Sequence, residues 1–339
     1  MKRVCIVGAG AIGGLIGARL ALAGHAEVRA LARGVTLQAL RKHGWRLRTN
    51  TGFQQVSALV SDSAAQLGVQ DLVIIAVKGT ALAEVADQIG PLLGQDTVVL
   101  PAMNGVPWWF CHDLAAPGES NLNSVDPGGR ITAAIDTGRV LGCVVHASAS
   151  VPEPGLIEHR MGLGLIIGEA RGGYSERASR AQALLAQAGF DVSLSEDIRQ
   201  DIWYKLWGNL TMNPVSAITG ATIDRVLDDP LVREFCSAAM REAAVIGERL
   251  GCPIAQSPED RHAVTAKLGT FKTSMLQDVE AGRAVELDAI VGAVHELGAR
   301  LRCPTPNIDA LFGLTRLFAR VRGLYPDDRA TPTGASDAS

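Results

Sequence analysis

Residues 4–24 read VCIVGAGAIGGLIGARLALAG. Val4 to Val7 is a short apolar run of the length of a buried strand; Gly8-Ala9-Gly10-Ala11-Ile12-Gly13 follows at once, and an apolar helical run from Gly14 to Ala23 closes at Gly24. This is the pattern G-x-G-x-x-G in strand–turn–helix order, the context that gives it meaning. Gly8 permits a tight turn, Gly10 lets the backbone approach a pyrophosphate, and Gly13 lets helix and strand pack closely. The N–H groups and partial positive charge of the helix start then face the anion. The stretch predicts a Rossmann-type α/β domain whose cofactor-binding residues are Gly8, Gly10, Ala11, Ile12 and Gly13. A glycine-rich turn with no ligand is the plainer alternative.

The next strand, Glu27 to Leu31, decides which dinucleotide. An acid at its end would hold the 2′-hydroxyl of NAD, but the chain continues Ala32-Arg33-Gly34. A guanidinium suits a 2′-phosphate through charge-assisted hydrogen bonds, so Arg33 favours NADP(H) over a merely solvated arginine.

Further on, a helix is expected near Val35 to His43 and a strand pair within Trp45 to Val60, around Asn50-Thr51-Gly52. Asp71 to Val77 is a continuous apolar run of the kind buried on both faces of a parallel sheet, ending at Lys78-Gly79. Thr97 to Ala102 repeats the device and ends at Met103-Asn104-Gly105. Open parallel sheets bind ligands at the carboxyl ends of their strands, which delivers Lys78 and Asn104 to the cofactor edge. Residues Gly118 to Gly129 read as a polar loop, and Gly142 to Ile167, interrupted by Pro152 and Pro154, as strands finishing the sheet. A helix from Glu176 to Ala188 and a strand at Val192 to Leu194 complete this part.

Asp201 to Ala217, DIWYKLWGNLTMNPVSA, opens a helical half. At about 100° per residue Trp203, Leu206, Trp207 and Leu210 share one side, while Lys205, Asn209 and Asn213 line the other at a spacing of four. Asparagine is a weak helix former, so helix propensity did not select this row. Either it is a solvated face or it presents donors to a cleft, with Lys205 as proton donor. Pro214 is expected to kink or end the helix. Further helices are expected from Asp228-Asp229-Pro230 to Leu250 and over 258–268, 271–281, 286–301 and 305–322, with a small, polar, disordered tail after them.

A chain of 339 residues favours two domains. The expected division is 1–196 for dinucleotide binding, 197–322 for a helical substrate and catalytic domain, and 323–339 for the tail. Hydrophobic residues at 47%, charged residues at 20% and a net charge of −3 describe an ordinary soluble protein and argue against nucleic acid or an anionic membrane as partner. The glycines at the start make it a poor signal peptide. Six scattered cysteines fit reduced cytoplasmic thiols, and neither they nor the seven histidines have metal-ligand spacing.

GAGAIGG at the start, AVK at Lys78, MNG at Asn104, KLWGNLTMNP at Lys205 to Pro214, and SMLQDVEAGRAVELD at Ser274 to Asp288 together resemble the ketopantoate (2-dehydropantoate 2-) reductases over residues 1–320. The resemblance implies an α/β N-terminal Rossmann-type dinucleotide-binding domain plus an all-α C-terminal domain, and NADPH-dependent reduction of 2-dehydropantoate to (R)-pantoate, on the route to pantothenate and coenzyme A. It implies Lys205 as general acid and Glu286 as essential carboxylate, with Asn104, Asn209, Asn213 and Ser274 binding substrate. Lys78 and Asn104 stand at the junction with the cofactor, and Arg33 faces the 2′-phosphate. A lysine with the ordinary pKa of about 10.4 is already protonated at neutral pH, so reduction requires no depressed value. Read without the resemblance, Glu286 is as well explained by the first turn of a helix and Ser274 by a helix surface. The chain departs from the family at Val106-Pro107-Trp108-Trp109, in the loop at 118–129, and at Thr222-Ile223, where some members carry another asparagine. These departures leave open reduction of another 2-oxo acid, and a non-catalytic NADP(H) sensor is the reading from a different class. The partner expected is a small 2-oxo acid, and the long amphipathic helices are compatible with a homodimer.

Overall fold

A computed structural model describes residues 1–114, 120–267 and 269–326. The start of the 118–129 loop and the tail from Asp327 onward lie outside the described residues.

β1 (Arg3–Val7), α1 (Ala11–Ala23), β2 (Glu27–Leu31) and α2 (Gly34–His43) open the chain. β3 (Trp45–Thr49), β4 (Gly52–Val56), β5 (Leu59–Ser61), the one-turn α3 (Ala64–Leu67), β6 (Gln70–Ile75), α4 (Leu82–Gln88) and β7 (Leu93–Pro101) follow. Five of these strands form a parallel sheet in the order β5-β2-β1-β6-β7, with Val7 beside both Leu31 and Ile75. In the inner strands β1 and β6 the runs Val4–Val7 and Leu72–Ile75 are apolar without interruption because both faces are covered, whereas β2 carries Glu27 and Arg29 and the edge strand β5 leaves Leu59 exposed.

The short α5 (Arg130–Ala134) precedes β8 (Leu141–Glu153) and β9 (Leu156–Glu169), then α6 (Glu176–Gln187) and β10 (Asp191–Leu194). Here the expectation fails: these strands do not finish the parallel sheet. They join the β3–β4 hairpin in a second sheet, ordered β10-β9-β3-β4 with β8 paired to β9, and among the described residues one isolated bridge, Val99 to Val140, links β7 to the residue before β8. α1 is pressed between the two sheets, and its glycines give the room. A Cβ on Gly14 would lie 2.3 Å from Ile157 Cδ1, and one on Gly17 would lie 2.4 Å from Trp45 Cη2.

The helical half contains α7 (Ile198–Thr219), α8 (Ile223–Asp228), α9 (Pro230–Arg249), α10 (Pro258–Ala266), α11 (Ser274–Glu280), α12 (Ala293–Arg300) and α13 (Pro306–Val321). Asp229 caps α9 through the N–H groups of Leu231 and Val232, with Pro230 at its first turn. α7 packs against α9, α11 and α13 and against β8. Pro214 neither ends nor caps it; the helix continues to Gly220. Proline removes one ladder bond, but α7 is buried on nearly every side, so packing rather than its own ladder sets its length. A π-helical turn, Asp288–Gly292, precedes α12, so Glu286 sits in the loop before it and not in a first helical turn. One apolar core runs through both halves, joining Val73, Ile75 and Val99 to Trp203, Leu210 and Ile290. Among the described residues no helix is long and apolar enough to cross a membrane.

Candidate active site

The glycine cradle comes first. Gly8 has φ +90°, and a Cβ there would meet Val77 Cγ1 at 2.6 Å; at Gly13 it would meet Gly8 O at 2.1 Å. At Gly10 it would meet nothing within 4 Å, so the backbone is open on that side. Gly10 caps α1 without any side chain, leaving the first N–H groups, from Ala11 and Ile12 onward, for an anion. These residues fit a pyrophosphate. Gly8 and Gly10 line a cavity of about 190 Å³ shared with Leu31, Arg33, Thr36 and Glu84. Arg33 lines this cavity and forms an ion pair with Glu84 on the same wall.

Lys205 reaches across from α7. Its Nζ donates to Asn104 Oδ1 at 2.9 Å, just beyond β7, and to the backbone carbonyl of Val145 on β8 at 2.7 Å. Burial lowers the pKa of the ammonium to about 8, with Glu286 acting in the opposite direction. The ammonium is then still the dominant form at neutral pH, yet closer to balance between donor and acceptor than an unperturbed lysine.

Lys78, just beyond β6, reaches the helical half. Its Nζ lies 2.8 Å from Asp278 Oδ2 on α11 and donates to Ala284 O at 2.7 Å. Asp278, 9% exposed, also takes Arg283 Nε at 2.9 Å. The next residue, Gly79, donates its N–H to Glu286 Oε1 at 3.2 Å. Burial raises the Glu286 carboxyl above the usual range, against the Gly79 N–H and the charge of Lys78. Lys78 and Glu286 thus tie the loop after β6 to the helical half. Sequence reasoning missed Asp278, although it lies inside the Ser-Met-Leu-Gln-Asp block, because nothing local tells a clamp from a surface acid.

Asn104 and Glu286 also line a second, mostly apolar cavity of about 200 Å³, which includes Trp108, Trp109, Ile131 and Asp288. Both tryptophans are core residues, 1% and 0% exposed, so they form the wall of this cavity and are not free to swing through it. The π-turn shapes the same wall: Ala289 O accepts from Val106 N–H at 2.8 Å. Asn213 is buried, with Nδ2 lacking a hydrogen-bond partner among the described residues. Asn209 is half-buried, and Ser274 is exposed at the first turn of α11. Thr222 opens α8, and Ile223 N–H donates to Phe271 O.

A dinucleotide cradle at one end of a parallel sheet, and a buried amine held at its carboxyl edge by a second, helical half, define a nicotinamide-dependent oxidoreductase. Residues 4–108 match the family model for ketopantoate reductase PanE/ApbA, and residues 197–319 match its C-terminal model. A 2-dehydropantoate 2-reductase from Mesorhizobium japonicum is 43% identical over 324 residues, covering 95% of this chain and 99% of that protein. A solved structure from Ralstonia solanacearum MolK2, provisionally assigned as a ketopantoate reductase, is 54% identical with TM-score 0.92, covering 96% of this chain and 99% of that one. A 2-dehydropantoate 2-reductase structure from Methylococcus capsulatus is 27% identical with TM-score 0.80, covering 94% and 97%. The chain belongs to the ketopantoate reductase family.

Proposed function

We propose that this chain reduces 2-dehydropantoate to (R)-pantoate with NADPH. NADPH supplies the hydride when bound; every other element of the reaction falls to the chain. Addition of hydride to the ketone carbon leaves negative charge on the carbonyl oxygen. The Lys205 ammonium stabilises that charge and gives it a proton, so that ketone, hydride and proton become a secondary alcohol. Asn104 and the Val145 carbonyl fix the amine by two of its three N–H bonds, leaving the third for substrate. Asn209, Asn213 and Ser274 bind the substrate's polar groups, and Glu286 accepts from a hydroxyl or orients the amine. Gly8, Gly10, Ala11, Ile12 and Gly13 hold the pyrophosphate, Arg33 the 2′-phosphate, and Lys78 the junction. Residues 1–196 and 197–322 then act as the nucleotide and the substrate domain of a cytoplasmic enzyme, and a homodimer is the proposed assembly.

The observation that supports this reading is the 2.9 Å bond from Lys205 Nζ on α7 to Asn104 Oδ1, just beyond β7 of the other half. NADPH oxidation by 2-dehydropantoate, in wild type and Lys205→Ala, tests it. Undiminished turnover by the variant would overturn the role of Lys205, and no turnover of any 2-oxo acid by wild type would leave the NADP(H)-sensor reading. The apolar wall at Ile131, Trp108 and Trp109 supports a second reading, a bulkier branched or aromatic 2-oxo acid, which relative kcat/KM on a substrate panel separates.

A further inference from the structure

The loop that carries Glu286 is held from two sides. Residues 283–286 form no helix or strand, so no ladder of their own fixes their course. From the nucleotide half, Lys78 Nζ donates to Ala284 O, Gly79 N–H to Glu286 Oε1 and Val106 N–H to Ala289 O. The second hold comes from the segment that follows the last helix. α13 ends at Val321, Gly323 turns the backbone at φ +67°, and Leu324 N–H closes on Ala319 O at 2.8 Å. That turn brings two residues onto the loop. Leu324 O accepts from Val285 N–H at 3.0 Å, and Tyr325 Oη donates to Asp288 Oδ1 at 2.5 Å. The two bonds bracket Glu286, one residue before it and two residues after it.

This segment is anchored rather than frayed. Leu324, 6% exposed, shares an apolar cluster with Val285 and Leu287, and the half-buried Tyr325 packs against the same cluster. Asp288 lines the apolar cavity together with Glu286 and Asn104, whereas Tyr325 does not line it. Burial raises the Asp288 carboxyl; the Tyr325 hydroxyl opposes that first, then the charges of Arg316 and Arg320. Taking the hydroxyl away leaves a largely buried carboxylate short of a donor at the wall of the cavity, a cost the loop relieves by shifting. Glu286, two residues away, shifts with it.

We propose that Tyr325 is a positioning residue for the reduction: through Asp288, and with the Leu324 carbonyl on Val285, it sets where the Glu286 carboxylate stands in the substrate cavity. This rests on the reductase reading and adds to it a residue that acts on the substrate site without lining it.

The test compares the full chain as wild type, Tyr325→Phe, Asp288→Ala, Asp288→Asn and Tyr325→Phe with Asp288→Ala. Steady-state kinetics with 2-dehydropantoate at saturating NADPH are paired with amide hydrogen exchange of the protein alone. Tyr325→Phe keeps the packed ring and loses only the hydroxyl. It is expected to raise KM for the keto acid roughly 5- to 30-fold, with kcat changed less than about threefold and NADPH affinity unchanged. The amides of Gly79 and Val285, whose acceptors are Glu286 and Leu324, should exchange at least about tenfold faster, while those of β1 and α1 keep their wild-type rates. Tyr325→Phe adds nothing further to Asp288→Ala, and Asp288→Asn, which still offers Tyr325 an acceptor, stays nearer wild type than Asp288→Ala. A lowered Tm with KM and Gly79 exchange as in wild type would make Tyr325 a structural residue only and overturn the inference. So would an equal effect of Tyr325→Phe on KM with and without Asp288→Ala. If wild type reduces no 2-oxo acid, the reductase reading falls on its own; faster Gly79 exchange in Tyr325→Phe then still upholds the placement of Glu286, and unchanged exchange overturns it.

Discussion

Lys205 Nζ donates to Asn104 Oδ1 across 2.9 Å, although the two residues are 101 positions apart and belong to different halves of the molecule. A charged amine held that way is a positioned donor. Lys205→Ala is expected to lower kcat by at least about 10²-fold while NADPH affinity, measured by fluorescence titration, stays within about twofold. A fall confined to KM would assign Lys205 to binding alone.

The same amine sets the pH profile. Its pKa, brought down to about 8 by burial, leaves the ammonium as the dominant form below that pH and removes it above. kcat/KM for reduction is therefore expected to be level on the acid side of about 8 and to fall about tenfold per pH unit beyond it, while oxidation of the alcohol rises through the same value. Glu286, raised by burial, places any acid limb above the usual glutamate range. A basic limb left in place by Lys205→Arg would assign it to another group.

Arg33 and Glu84 share one wall of the cradle as an ion pair. Arg33→Ala is expected to raise KM for NADPH about 10- to 100-fold with little effect on NADH. Glu84→Gln frees the guanidinium of an exposed partner and is expected to lower KM for NADPH by at most a few-fold. Equal changes with both nucleotides would remove Arg33 from 2′-phosphate recognition.

Two glycines of one motif are expected to respond in opposite ways. Gly10→Ala adds a methyl group where nothing lies within 4 Å, so the protein should fold with an unchanged Tm and bind NADPH at least about tenfold more weakly, the new group standing where the pyrophosphate approaches. Gly13→Ala forces a contact of 2.1 Å with Gly8 O and is expected to cost about 3 kcal/mol or more, seen as a lowered Tm or loss of soluble protein.

The parallel sheet was legible because β1, β6 and β7 are apolar runs between turn signals, and the cradle because each of its glycines has a distinct steric duty. The second sheet was not. β9 pairs with β3, residues more than a hundred positions away, and no periodicity within 142–167 announces such a partner. Pro214 misled for a related reason: local rules end a helix there, but α7 is the buried axis of the helical half, and packing prevails over one lost bond. In the site, Lys205 and its row of asparagines stood out by unusual composition. Its acceptor, the Val145 carbonyl, carries no side-chain signature at all, and Asp278 is not distinguishable from a surface charge until the chain is folded.

The Trp109, Phe110 and Trp203 rings interlock, with centroids 6.5 and 5.9 Å apart, and the first two belong to the nucleotide-binding half while the third is on α7. This aromatic seam belongs to an apolar cluster common to both halves, although residues before 197 also hold a cluster of their own. Heating should therefore produce a single calorimetric endotherm rather than two, and a fragment severed after residue 196 should precipitate for want of the surface that α7 covers.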